Sequence, residues 1–328
     1  MKSGIALVCA TALLALPLVG CNGGGGSDAS PPQTGEASFS ITDAPADNVS
    51  RVKVTFDRIE LKPREGAKVS VDLDPAVTIE NLLDLTGSNA EQVLGSTTVP
   101  AGEYNYVRLY VQGGSPASEV EEEAGGVFDL LVPGQQAGAN NRFLQLVSGF
   151  TVPAGGRADF TIDVDLRAAL TKPSGADHYL LRPALRIVDN VVVGTISGTV
   201  DEALLNDASC THTPATDEGV AVYLYESDAV GFGDVYVNDA GECQHCNEGS
   251  QTEASPLTTA NVTQDTQTGA YTYTIGFVEA GEYDIALTCQ SLDDDPAADD
   301  AISFLQSAGV TVVENQTSEV DFVSASSP

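Results

Sequence analysis

Apolar side chains recur at every second position along most of this chain, in runs too short for helices. Val52, Val54 and Phe56 share one face of such a run. Tyr104, Tyr106, Arg108 and Tyr110 oppose Val107, Leu109 and Val111, and Phe160, Ile162, Val164 and Leu166 oppose Thr161, Asp163, Asp165 and Arg167. A period of two is the mark of half-buried strands. Clusters drawn from 32 Gly, 16 Pro and the Asn and Asp residues break the runs, and only 80–94 and 166–171 leave room for a helical turn or two. The pattern continues through Gly194 to Val200, Val220 to Glu226, Ala270 to Phe277, Tyr283 to Cys289, Val310 to Val313 and Glu319 to Val323. The expected fold is therefore all-β: two β-sandwich domains, immunoglobulin-like or transthyretin-like.

Charge divides these strands into two sets. The chain carries 47 acidic and 14 basic side chains, a formal charge of −33, and the last basic residue is Arg186. From Ile187 to the end there is no Lys or Arg against 25 acidic residues. Such a composition shift predicts a domain boundary near Val191 to Val193, giving domains over 36–190 and 191–328. A polyanion gains nothing by displacing counterions from phosphates, so nucleic acid is excluded as a partner. With 42% hydrophobic residues the chain has material for a core, and wholesale disorder is excluded too. One long polar insertion, Ser227 to Gln264, interrupts the second set.

The first twenty residues read as an export signal: Lys2, then the apolar stretch Ile5 to Leu18, too short for a membrane span. It ends in Leu18-Val19-Gly20-Cys21, which resembles the lipobox of bacterial lipoproteins. The resemblance implies a diacylglyceryl thioether on Cys21 and removal of residues 1–20. Residues 21–35, rich in Gly, Ser and Pro, lack apolar periodicity and act as a tether of roughly 20 Å. The expected membrane partner is reached through acyl chains alone. Asn22, rather than the Asp that favours inner-membrane retention, points to the outer membrane of a Gram-negative envelope.

Two further resemblances rest on short motifs. Thr42-Asp43-Ala44-Pro45, Val99-Pro100-Ala101-Gly102 before a Tyr/Arg strand, Asp163-Val164-Asp165 and Leu181-Arg182-Pro183 resemble the bacterial domain-of-unknown-function family 4382, which occurs on lipoproteins. Gly198-Thr199-Val200, Gly219-Val220-Ala221-Val222, Thr268-Gly269-Ala270-Tyr271-Thr272-Tyr273 and Ala280-Gly281-Glu282-Tyr283 resemble the carboxypeptidase-regulatory or transthyretin-like sandwich. That family consists of non-catalytic accessory modules. Ala101-Gly102-Glu103-Tyr104 and Ala280-Gly281-Glu282-Tyr283 also echo one another, each Gly expected to supply a positive-φ turn before a strand.

Candidate chemistry is sparse. Cys210, Cys243, Cys246 and Cys289 form an even set in an exported chain, which reads as two disulfides, with Cys210–Cys289 and Cys243–Cys246 the favoured pairing among three. Zinc held by Cys210, His212, Cys243, His245 and Cys246 is the rival reading. Asp293, Asp294, Asp295, Asp299 and Asp300 could converge on calcium, the one candidate cofactor, although the loop lacks the Gly and Glu of an EF-hand. Asp163 and Asp165 beside Arg167 read as a screened surface group, and Asp43 as a turn residue with a candidate ligand-loop role. No Gly-x-Ser-x-Gly, His-Glu-x-x-His or phosphate loop occurs, and His178, His212 and His245 adjoin no nucleophile motif. The expected function is a lipid-anchored, non-catalytic binding or structural module with an unidentified protein or glycan partner. A calcium-dependent adhesin and an envelope hydrolase using paired carboxylates are the alternatives.

Overall fold

The computed structural model describes residues 33–208, 210, 219–227, 229, 231–236 and 254–324. In chain order the first strands are β1 (Thr34–Ala44), β2 (Val49–Pro63), β3 (Val69–Ile79), β4 (Glu91–Pro100), β5 (Gly102–Val111), β6 (Glu119–Glu122), β7 (Val127–Leu131), β8 (Arg142–Leu146), β9 (Phe150–Val152), β10 (Arg157–Asp165), β11 (Leu170–Thr171), β12 (His178–Leu181) and β13 (Leu185–Asp189). Then follow β14 (Val193–Val200), β15 (Ala221–Glu226), β16 (Thr258–Asn261), β17 (Thr263–Gln264), β18 (Tyr271–Glu279), β19 (Gly281–Thr288), β20 (Phe304–Val312) and β21 (Thr317–Glu319). Among the described residues two single-turn α-helices, α1 (Leu166–Ala169) and α2 (Glu202–Leu205), and the 3₁₀ turns Leu82–Leu85 and Ser291–Asp293 interrupt them. Among the described residues no helix is long and apolar enough to cross a membrane. The protein is all-β.

Strands β13-β10-β1-β4 form one sheet, with β1 and β10 parallel at its centre. It packs on a nine-stranded sheet that runs β11-β12-β7-β6-β2-β5-β8, with β3 added to β2 and β9 to β5. Aromatic rings cross between the layers: Phe39 and Phe160 of the first sheet meet Phe150 of the second at centroid distances of 5.8 and 4.9 Å, and Tyr104 stacks on Phe150 at 4.7 Å. For Phe160 and for Val107, Leu109 and Val111 the buried face is the alternate set of the sequence pattern. Tyr104, expected on the face opposite Val107 to Val111, enters the same core because the register against β2 shifts between Lys62 and Pro63. The second sandwich pairs the sheets β17-β18-β14-β21 and β16-β15-β19-β20 around Ile196, Val222, Leu224, Ile275, Ile285 and Leu287. Two of its strands, β16 and β17, fall within the stretch expected to be a polar insertion.

A third apolar cluster lies between the sandwiches. Ala168 of α1, with Ala184, meets Ala221, Tyr223 and Tyr225 of β15 and Ala286 of β19. These are the positions of β15 that face away from the second core, so Ala221 to Tyr225 is buried throughout. An unbroken apolar run, Ala-Val-Tyr-Leu-Tyr, is what burial on both faces requires.

The same contact overturns one expectation. Thr161, Asp163, Asp165 and Arg167 form no solvated face: all four are buried, at 0, 3, 8 and 4% exposure. Period two on β10 separates apolar from polar residues, but the second sandwich covers the polar side. The turn echo also splits: Gly102 has φ 130°, as expected, whereas Gly281 is absent from the positive-φ residues and simply opens β19. Tyr104 is buried, while Tyr283 is only partly so.

Candidate functional site

The C-terminal end of β1, the turn at Thr86 to Asn89, Asp163 of β10 and Arg186 of β13 form one wall of a cleft of about 560 Å³. Strands β16, β17 and β18 of the second sandwich form the other, through Thr258 to Asn261, Thr263 and Thr272 to Gly276. Its size is that of a small-molecule pocket. Its position follows from the parallel pairing of β1 and β10, which sets Thr42 beside Asp163 and Asp43 beside Val164 at the ends of both strands.

Two arginines join the walls. Arg186 donates through Nε to Asp163 Oδ2 at 2.7 Å, and through Nη1 and Nη2 to the carbonyls of Phe277 and Gly276 at 2.8 and 3.4 Å. Those carbonyls are available because of a β-bulge: between the pairs Gly194–Val278 and Ile196–Ile275, the two residues Gly276 and Phe277 face Thr195 alone. Phe277 has φ 52°, uncommon for a bulky residue. Arg167 pairs with Asp47 Oδ2 at 2.9 Å and donates to Asn261 Oδ1 at 2.7 Å. Gly276 passes so near the Gly87 turn that a Cβ would lie 2.1 Å from the Gly87 carbonyl oxygen.

Each carboxylate has a structural partner, and Asp43 and Asp163 each keep one oxygen without one. Asp165 caps α1, its Oδ1 accepting from Ala168 N at 3.2 Å, and Asp43 Oδ1 accepts from Leu166 N at 3.3 Å. Asp43 Oδ2, Asp163 Oδ1 and Thr259 Oγ1 are buried without a hydrogen-bond partner. All three residues line the cleft. Orphaned buried polar atoms are rare, and each costs about 1–3 kcal/mol. Burial, followed by repulsion from Asp163 and Asp165, pushes the Asp43 carboxyl well above the ordinary range. Burial and then Asp163 raise Asp165 to about 6.

The acidic loop forms a separate group. Asp294 and Asp300 come together with Asp234, which the sequence reading did not single out, and their ligand atoms lie within 4.8 Å of one another. Asp293, Asp295 and Asp299 are outside this group. Asp294 Oδ2 accepts from Tyr223 OH at 2.6 Å and Oδ1 from Val235 N at 3.1 Å, while Asp300 Oδ2 accepts from Asp295 N at 2.8 Å. Burial pushes Asp294 up to about 7 against these bonds.

Cys210 and Cys289 are joined by a disulfide at the end of the second sandwich. Cys21, Cys243, Cys246, His212 and His245 lie outside the described residues. His178 sits beside Asp177, away from the cleft. Sequence reasoning missed Arg186, Thr259 and Asp234. The one signal for Arg186 was its place as the last cation before a stretch with none.

No match is found among curated proteins. Solved structures similar to the chain include a leucine-rich repeat protein from Bacteroides thetaiotaomicron (15% identity, 89% of this chain and 27% of that one, TM-score 0.21). Others are the TIE protein of Bacillus anthracis (12%, 88% and 34%, TM-score 0.18) and the minor pilin GBS52 of Streptococcus agalactiae (12%, 89% and 99%, TM-score 0.17). The chain spans only about a quarter to a third of the first two, and TM-scores this low carry no inference. Residues 34–183, which include β1 and Asp163 of the cleft but not Arg186, match the family described as "Domain of unknown function (DUF4382)".

Proposed function

We propose that this chain is a lipid-anchored binding module of a bacterial cell envelope, tethered through Cys21 and holding a ligand in its intersandwich cleft without altering it. The observation that carries the reading is the meeting of three unpartnered buried polar atoms, on Asp43, Asp163 and Thr259, at one cavity. A ligand would supply the missing partners. The bonded carboxylate oxygens there hold Arg186, Leu166 N and Ala168 N, which are structural duties. The resemblance of the second sandwich to non-catalytic accessory modules agrees with this.

The anchor reading rests on the order of Lys2, apolar stretch, Gly20-Cys21 and tether, and on Asn22 for the outer membrane. Geometry suits it: Gln33, where the tether joins, accepts from Ala101 N at the start of β1. The run from there to Asp43 is about 30 Å of extended strand, which separates the cleft from the start of β1.

Two measurements test the proposal. Metabolic palmitate labelling should mark the wild type and spare Cys21→Ser, which is released into the soluble fraction; an unlabelled wild type refutes the anchor. A low-molecular-weight envelope extract should raise the melting temperature of the wild type but not of Thr274→Arg, whose side chain would fill the cleft. Equal responses refute the cleft, and recovery of the bound compound with an altered mass refutes the non-catalytic reading.

A second reading, calcium binding at the 293–300 loop, draws on the Asp234, Asp294 and Asp300 group. Millimolar calcium should then raise the melting temperature, by mass action, in the wild type and not in Asp300→Asn. No rise in the wild type refutes it.

A further inference from the structure

We infer that the cleft is built for a primary ammonium group, carried by a small amine or by the lysine side chain of a partner. The assignment rests on the binding role proposed above and specifies its chemistry.

Charge comes first. Asp43, Glu123, Asp163 and Arg186 are the charged residues lining the cleft. Arg186 is largely engaged: three of its five N–H donors bond one carboxylate and two carbonyls. What remains unspent is acidic, namely Asp163 Oδ1 and Asp43 Oδ2; burial and the neighbouring carboxylates favour the protonated form of Asp43, and a bound cation would draw that proton off. Arg167, whose Nε and Nη1 also lack partners, does not line the cleft, so among the lining residues an anionic ligand would meet three acidic groups against one cation.

Hydrogen-bond polarity narrows the class further. The unpartnered atoms are two carboxyl oxygens and the Thr259 hydroxyl, all of which can accept a hydrogen bond from a ligand, the hydroxyl being able to donate one as well. An ammonium carries three donors and no acceptor. Thr42, Thr263 and Thr274 add further hydroxyl oxygens on the walls.

Competing ligands fit less well. The one aromatic residue on the lining is Tyr273, which is 2% exposed and has its hydroxyl on the Val320 carbonyl, so no ring face is open for stacking a sugar or a base. A bare divalent cation would want several oxygen ligands close together. Among the described residues the group of three carboxylates near enough for that is Asp234, Asp294 and Asp300, not the cleft. A cavity of about 560 Å³ is also far larger than an ion needs.

Thermal shift and calorimetry on the full chain test the assignment, with 1,5-diaminopentane as the free amine, Nα-acetyl-lysine methylamide as the lysine mimic and 1,5-pentanediol as the uncharged isostere. At least one amine should raise the melting temperature and the diol should not. A response to the lysine mimic well above that to the diamine assigns the site to a partner's side chain; the reverse assigns it to a free amine.

Asp43→Asn retains the acceptor for Leu166 N, and Thr259→Val is isosteric. Each should weaken amine binding tenfold or more while circular dichroism stays unchanged. Glu282→Gln, exposed and away from the cleft, should leave binding intact, which separates site binding from general attraction to an acidic protein. Amine binding that survives both cleft substitutions, or falls equally with Glu282→Gln, overturns the assignment. No response to either amine, with the envelope extract still protecting the wild type and not Thr274→Arg, overturns the ammonium while sparing the binding role. Silence in both assays overturns both.

Discussion

Arg186 of the first sandwich donates to the backbone carbonyl of Phe277 in the second, at 2.8 Å. Its Nε simultaneously holds Asp163 Oδ2 at 2.7 Å, and Asp163 is only 3% exposed. The bulge at Gly276 and Phe277 is thus not a defect in β18; it turns two carbonyls outward, where a cation from the other sandwich takes both.

Removing that cation should cost more than the contacts it makes. Arg186→Met leaves Asp163 buried without a counter-charge, and breaking a buried pair from one side costs roughly 3 kcal/mol or more. We expect a lowered urea midpoint. Adding Asp163→Asn to Arg186→Met should restore part of the loss, since the orphaned charge is then gone. Equal stability of the single and double variants would show that the pair is not the source.

Gly276 provides an independent probe of the same contact. A Cβ there would sit 2.1 Å from the Gly87 oxygen, which is backbone and cannot swing away. Gly276→Ala should cost about 1–3 kcal/mol by overpacking. It should also speed amide exchange over 82–89 on the opposite wall. Gly95→Ala is the control: its nearest neighbour is a glutamine side chain at 3.6 Å, so it should be close to neutral. Unchanged exchange in Gly276→Ala would mean that the walls do not bear on one another.

The strands were legible because one period governs them, and Val52 to Phe56 or Phe160 to Leu166 bury the faces that alternation assigns. What alternation cannot report is which polar face is later covered. Asp163 and Asp165 look like any solvated pair until the second sandwich docks, and only the unbroken apolar run at Ala221 to Tyr225 hinted that a second surface was buried. The cleft was less legible still. Asp43, Asp163 and Thr259 are brought together by three different strands, and the lack of a partner on an oxygen is a property of the packed state alone. Strands β16 and β17 escaped notice because Thr258 to Gln264 carries almost no apolar alternation.

The Cys210–Cys289 disulfide closes a span of 79 positions. On the chain-entropy account such a loop restricts the unfolded state by about 4–5 kcal/mol. Cys289 is 1% exposed within the second core, so the paired substitution Cys210→Ala with Cys289→Ala also removes buried contacts. A fall of about 4 kcal/mol is expected in urea, together with a larger dependence on denaturant because the unlinked chain exposes more surface when unfolded. Loss of stability with an unchanged slope would place the effect in native packing instead.

Asp294 gives stability an unusual pH dependence. Desolvation raises its carboxyl from 3.8 to about 7, outweighing the bonds from Tyr223 and Val235 and the nearby Arg167. Desolvation and Asp163 likewise take Asp165 from 3.8 to about 6. A raised acid means that the folded state holds a proton the unfolded state has released, so stability falls as pH rises across that interval. For Asp294 the loss begins near pH 4 and is complete above about 7, at up to roughly 4 kcal/mol. Glu60, Glu119 and Asp321 have lowered values and act in the opposite sense, losing stability as pH falls. The wild-type curve therefore mixes both signs, and the informative quantity is a difference. Asp294→Asn keeps an acceptor for Tyr223 and cannot ionise, so its stability relative to the wild type should climb between pH 4 and pH 7.5 and level off beyond. Parallel curves for the two proteins over that range would show that Asp294 titrates as an ordinary carboxylate, and that its burial against Tyr223 and Val235 carries no proton.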